Sequence, residues 1–226
     1  SFQTKYLGMS PFQAPSLFTI LAYLEYEHGV FHVEGGLGTI TQKMAEIARG
    51  LGVKIRLNEP VTDFVFDGKK VVGAVTDSGT YTADRFVMNV DFATGMKGLI
   101  PDELRKKWSD KKLDEKSYSC STYMLYLGLD KLYDTPHHQI YAATDYQKNL
   151  KEVTENKVTW DDPSIYVQNA CVTDPSMAPD GHSTIYVLVP ASSSHEDIDW
   201  EEIKEEYMEV IVSQMEKLGF EGIKDH

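Results

Sequence analysis

The sequence predicts a mixed α/β (α+β) protein, and three observations predict it. A glycine-rich turn at Glu34-Gly35-Gly36-Leu37-Gly38 runs straight into an amphipathic helical pattern. A strand signal and an Asp67-Gly68 hairpin signal follow. The second half then changes character, to runs of alternating apolar and polar residues closed by a well-capped helix.

Taken in order, residues 1–9 are a lead-in, and Ser10-Pro11 and Pro15-Ser16 offer two helix starts. Leu17, Phe18, Ile20, Leu21, Tyr23, Leu24 and Tyr26 make the next helix apolar around much of its circumference. Two readings stand for it: a core helix, or an interfacial helix touching lipid or a greasy substrate. Gly29 ends it, and residues 30–33 read as a short strand. Thr39 and Gln42 form a capping box for a helix whose stripe is Leu37, Ile40, Met44, Ile47, Ala48 and Leu51, stopped by Gly50 and Gly52. Residues 53–57 alternate as a strand, residues 61–66 and 71–75 form the hairpin, and residues 85–88 make a final short strand before Asn89-Val90-Asp91. A short helix over 92–99 stops at Pro101, and residues 102–115 form a charged surface connector.

Beyond it, residues 118–129 read as a long strand with Cys120, Thr122, Met124 and Tyr126 on one face and Tyr123, Leu125 and Leu127 on the other. Further strands are expected over 139–143, 165–172 and 184–189, with a helix over 146–153 and turns at Thr173-Asp174-Pro175-Ser176 and Ala178-Pro179-Asp180-Gly181. Asp199 and Glu202 box the start of the last helix, whose buried stripe is Ile203, Tyr207, Val210, Ile211, Met215 and Leu218. The second half is thus expected to be a mixed sheet of at least four strands with helices on one side.

A chain of 226 residues can bury a substantial core in one large or two small domains. Its formal net charge of −13 argues against nucleic acid as a partner, because phosphate binding relies on clustered Lys and Arg. The two cysteines, Cys120 and Cys171, lack partners at metal-ligand spacing and read as thiols in a reducing compartment. No signal peptide is visible, and the longest apolar run is too short to span a bilayer. Without an initiator Met, the chain is expected to be an excised piece of something larger.

Few motifs carry chemistry. Gly36-Leu37-Gly38 starts like a dinucleotide fingerprint, but Thr41 stands where its third glycine belongs. Ser194-His195-Glu196-Asp197 reads as a polar loop, since triads assemble in space and not in a row. His137-His138 reads as an ordinary pair, because adjacent residues on a strand point to opposite faces. With no nucleophile, metal cage or carboxylate pair in view, any hard chemistry is expected to belong to a cofactor.

Tyr6-Leu7-Gly8-Met9-Ser10-Pro11 with Ala14-Pro15-Ser16-Leu17, Glu34-Gly35-Gly36, and residues 52–61 are similar to segments of the bacterial and archaeal phytoene desaturase family. The later ones match more sharply: Tyr126-Leu127-Gly128-Leu129-Asp130, His137-His138, Asp161-Asp162-Pro163-Ser164, and residues 172–181 with the strand 186–190. The resemblance runs in collinear order over nearly the whole chain.

It implies a flavoenzyme of the amine oxidase group, with a Rossmann-type FAD-binding domain joined to a mixed-sheet substrate domain. On that pattern residues 1–30 and 112–226 belong to the substrate domain and residues 31–111 to the FAD domain. The implied reaction is desaturation of a long isoprenoid such as phytoene or dehydrosqualene, by a cytoplasmic enzyme attached peripherally to a membrane surface. The resemblance assigns Val61 the backbone contact to the FAD adenine, and Gly35 and Gly36 the close passage near the flavin. Asn89 and Asp91 fall at a further cofactor position, and no catalytic side chain is assigned. Val33 and Glu34 depart from the family's Pro-Lys/Arg pair. The family's Gly-x-Gly-x-x-Gly turn, which cradles the pyrophosphate, has no counterpart, so this chain alone is not expected to retain FAD. The 13 tyrosines and 9 phenylalanines, many on strands of the second half, suit either a core or the lining of an elongated apolar channel. The rival readings are a carotenoid isomerase or oxygenase on the same fold, and a non-catalytic isoprenoid-binding domain.

Overall fold

The structure is a computed structural model, and it describes residues 10–12, 14–116, 118–155, 157–192 and 198–226. The loop 194–197 and the segment 6–9 of the family-like stretch lie outside the described residues. The helices are α1 (Thr19–His28), α2 (Gly38–Gly50), α3 (Phe92–Leu99), α4 (Asp110–Asp114), α5 (Tyr146–Thr154) and α6 (Trp200–Glu216). The strands are β1 (Asp63–Asp67), β2 (Lys70–Thr76), β3 (Gly79–Thr82), β4 (Ser121–Leu129), β5 (His138–Tyr141), β6 (Ile165–Asn169) and β7 (Ser183–Ala191). The chain divides into two compact units, Ser1–Lys43 with Tyr118–His226, and Met44–Ser117, so α2 runs from one into the other.

The first unit is built on a four-stranded sheet in the order β4-β7-β6-β5. Every pairing in it is antiparallel, where a mixed sheet was expected. Strand alternation sends Leu125, Leu127 and Leu129 of β4, Ile165 and Val167 of β6, and Ile185, Val187 and Val189 of β7 to one face. There they pack with Tyr207, Ile211, Val212 and Met215 of α6 and with Phe220 and Ile223 beyond it. As expected, Asp199 caps α6, accepting from the backbone N–H groups of Glu201 at 3.0 Å and Glu202 at 3.2 Å. The Tyr207 hydroxyl is buried but satisfied by Thr159 Oγ1 at 2.9 Å, and burial pushes its pKa up to about 12. The strand expected over 165–172 ends at Asn169, where Ala170–Val172 turns into a 3-10 helix.

The second unit holds the antiparallel meander β1-β2-β3, with the Asp67-Gly68 turn between the first two strands as expected. Strand β3 was not anticipated, because Gly79-Thr80-Tyr81-Thr82 carries almost no apolar alternation. Its edge is tied in by Glu59, which accepts from Tyr81 Oη at 2.6 Å and Thr76 Oγ1 at 2.9 Å. Arg105 is buried between Asp110 at 2.8 Å and Asp102 at 3.4 Å.

Four expectations are corrected. Residues 30–33, 53–57 and 85–88 are not strands; each lacks a paired neighbour among the described residues, and a strand is held by its neighbour's N–H and C=O groups. Val53, Leu57 and Val87 stand exposed there, Val87 at 94%. Helix α1 buries none of its residues, so it is not a core helix; Tyr26 is 93% exposed. The stripe Ile40, Met44, Ile47 of α2 also faces outward, and Thr39 lies inside the first turn rather than capping it, since the helix opens at Gly38.

Candidate functional site

The glycine turn is the first feature. Val33 C=O accepts from Gly36 N–H at 2.8 Å, and Gly35 and Gly36 sit at φ of 76° and 84°, a region closed to most side-chain-bearing residues. Gly36 is buried, and a Cβ there would stand 3.1 Å from Cε of Met177.

A carboxylate 139 positions away in sequence holds this turn. Oδ2 of Asp174 accepts from Gly35 N–H at 2.7 Å and from His32 Nε2–H at 3.2 Å. Its Oδ1 accepts from Ser176 Oγ at 2.6 Å and from Ser176 N–H at 3.1 Å. The Ser176 hydroxyl and the Gly35 amide hold the carboxyl at about 2, outweighing the opposing effect of desolvation. Sequence reasoning took Asp174 for a turn residue and did not single out His32. The Asp-Pro-Ser turn signal was legible; its reach to residue 35 was not.

The second feature is the sheet face turned away from α6. Its side chains stand in two rows, set by the register: Met124, Leu188, Tyr166 and Ile140, and beside them Tyr126, Tyr186, Gln168 and His138. Tyr126 is 74% exposed on this face. Ring follows ring across it: Tyr126 to Tyr186 at 5.4 Å, Tyr186 to Tyr166 at 6.1 Å, and Tyr166 to His138 at 5.9 Å. His137 and His138 continue the series, their rings 4.2 Å apart, and His137 meets His32 at 5.1 Å. The two histidines therefore do not diverge as strand neighbours would; His137 precedes the first residue of β5 and is free of its pleat. Burial, then the neighbouring His138 and His32, lower the His137 pKa and so favour its neutral form. It accepts from Gln168 Nε2 at 3.1 Å and donates from Nδ1 to Thr173 Oγ1 at 2.7 Å. Aromatic and apolar surface thus leads from the β4 edge to the residues that hold the glycine turn.

Of the five residues expected to bind the cofactor, the structure brings Gly35 and Gly36 together in the first unit and puts Val61, Asn89 and Asp91 in the second. Val61 and Asn89 are exposed, Val61 just ahead of the first ladder bond, in which Thr62 N–H donates to Val75 C=O at 2.9 Å. Asp91 caps α3, accepting from Thr94 N–H at 2.8 Å, which lowers its pKa. No group of three or more His, Cys, Asp or Glu among the described residues is arranged to hold a metal ion.

Comparison with known proteins gives a consistent pattern. A family model described as flavin containing amine oxidoreductase matches residues 1–223. A 4,4'-diapophytoene desaturase (4,4'-diapolycopene-forming) of Methylomonas sp is 41% identical over 227 residues, covering 100% of this chain and 44% of that protein. An all-trans-zeta-carotene desaturase of Myxococcus xanthus is 39% identical over 231 residues, with 100% and 44% covered. The chain therefore spans less than half the length of these relatives. Among solved structures, an oxidoreductase from Methanosarcina mazei shares the fold, with a TM-score of 0.64 at 15% identity over 96% of this chain and 47% of that one.

Proposed function

Since the chain belongs to the flavin-containing amine oxidoreductase family, we propose that it is the central portion of an FAD-dependent carotenoid desaturase acting on a linear isoprenoid such as phytoene or 4,4'-diapophytoene. The observation that carries this reading is the aromatic face of the β4-β7-β6-β5 sheet turned away from α6, which runs to the residues that hold the glycine turn. A hydrocarbon chain without polar handles can be held only by burial, worth roughly 25 cal/mol per Å² of apolar surface. Tyr126, Tyr186, Tyr166, Met124, Leu188 and Ile140 offer such a surface over the width of four strands.

In this reading FAD supplies the hydride-accepting chemistry when bound. The glycine pair fits that neighbour, because a turn at positive φ without Cβ atoms lets backbone come close to a planar ring. Gly35 and Gly36 pass near the flavin, and Val61, Asn89 and Asp91 belong to the FAD-binding portion, residues 31–111. Residues 1–30 and 112–226 form the substrate portion, which orients the chain and excludes water. The enzyme is cytoplasmic and peripheral to the membrane where its substrate dissolves. Helix α1 and the 3-10 turn before it support that contact, with Leu17 in the turn and Ile20, Tyr23 and Tyr26 in the helix all exposed. No helix among the described residues is long and apolar enough to cross a membrane.

The test is product analysis. The intact protein, loaded with FAD and given phytoene or 4,4'-diapophytoene in liposomes, should form products with longer conjugation, read as a red shift in absorbance. Products that keep the substrate's number of double bonds, or that gain terminal oxygen, would replace the desaturase reading by an isomerase or an oxygenase.

A further inference from the structure

The Asp174 carboxylate uses both of its oxygens, and each serves a different segment. Oδ1 accepts twice from Ser176, which fixes the carboxylate within its own Asp-Pro-Ser turn. Oδ2 is thereby aimed at the glycine segment, where it accepts from Gly35 N–H at 2.7 Å and His32 Nε2–H at 3.2 Å. Asp174 is itself buried, at 7% exposure, and its bonds to Gly35, His32 and Ser176 are part-buried. Met177, two residues after Pro175, closes the arrangement by packing where a Cβ of Gly36 would lie. The residues joined are distant in sequence, and the glycine turn has positive φ at two consecutive positions. Such a turn keeps one conformation only where its surroundings enforce it.

From this geometry we propose that Asp174 is a positioning residue, which locks the Gly35-Gly36 turn in the shape that the flavin ring meets and does so from the substrate portion of the chain. The proposal rests on the reading of Gly35 and Gly36 as flavin neighbours. It assigns to a residue of the β6–β7 connection the task of coupling the aromatic substrate face to the cofactor's backbone contact. His32, held by the same oxygen and edge-on to His137, extends the lock to the end of the ring series.

Two measurements test it. Hydrogen exchange read by mass spectrometry on this chain should show Gly35 N–H exchanging about tenfold faster or more in Asp174→Ala, since a hydrogen bond to a charged group is lost. The amide of Val187, in the sheet, should keep its protection. Asp174→Asn retains an acceptor oxygen and should give an intermediate rate; it also keeps the test sound if Asp174→Ala loses Val187 protection by unfolding. Unchanged Gly35 exchange in both variants, with the sheet intact, overturns the lock. In the intact protein loaded with FAD, Asp174→Ala should shift the flavin absorbance bands and weaken FAD retention while Asp174→Asn partly restores both. Faster Gly35 exchange with an unaltered flavin spectrum overturns the positioning role. Absence of desaturated product from the unsubstituted enzyme would instead remove the functional reading and leave the exchange result standing.

Discussion

At the scale of single residues, Asp174 is where ionisation and structure are most tightly linked. Its pKa falls from 3.8 to about 2 on folding, because Ser176, Gly35 and His32 all favour the charged form. A depressed folded-state pKa means that the stabilisation is complete above the unfolded value and is lost as pH falls toward the folded one. Chemical denaturation of the unsubstituted chain and of Asp174→Asn, repeated from about pH 5 down to about pH 2, should therefore show a gap that is constant at first and closes below about pH 4. A gap that persists unchanged at the lowest pH would mean that the charge on Asp174 contributes nothing. The residues expected to contact the cofactor show how uneven residue-level reading is. The sharp turn at Gly35 and Gly36 was foreseeable, since only glycine accepts that backbone freely. The partner that holds them was not, because no pattern in residues 173–176 points to position 35.

Individual elements divide by whether their apolar face has found a partner. Helix α6 has: its Asp199 cap is made, and Tyr207, Ile211 and Met215 are buried against the sheet. Helix α2 has an equally regular stripe, yet Ile47 on it is 65% exposed. Two substitutions should separate the cases in thermal and urea unfolding of this chain. Asp199→Ala should cost about 1 kcal/mol through the lost cap. Ile47→Glu should change stability by no more than about 0.5 kcal/mol, as surface substitutions do, and should lower binding of a hydrophobic dye. A large loss of stability from Ile47→Glu would show that the stripe is packed. The elements legible in advance were α1, α2, α3, α5, α6, the β1-β2 hairpin, β4, β5, β6 and β7, whose caps, turn residues or apolar periodicity lie in their own sequence; α4 and β3 were not. Segments 53–57 and 85–88 carry the same alternation but depend on a neighbouring strand to become one, and none of the described residues supplies it.

For the molecule as a whole, the exposed apolar surfaces of α1, α2, 53–57 and 85–88 stand beside the finding that the relatives are more than twice as long. The chain contains no Gly-x-Gly-x-x-Gly turn, the element whose helix N-terminus and backbone N–H groups hold a pyrophosphate. Titration of this purified chain with FAD, followed by flavin fluorescence, should give no binding at submicromolar concentrations. Tight binding would show that residues 31–111 hold the cofactor on their own and would move the pyrophosphate site into this chain.

What the sequence determined alone was local or inherited: helix caps, the Asp-Gly hairpin, strand alternation, and the collinear motifs of a carotenoid desaturase family. These depend on a residue and its near neighbours, or on a pattern retained along the whole chain. Tertiary structure alone decided which apolar faces are covered, that Asp174 reaches the glycine turn, and that Tyr126, Tyr186, Gln168 and His138 stand in register across three sheet pairings with Tyr166 in the adjacent row. Those facts depend on strand order and on contacts between distant positions, and sequence spacing specifies neither.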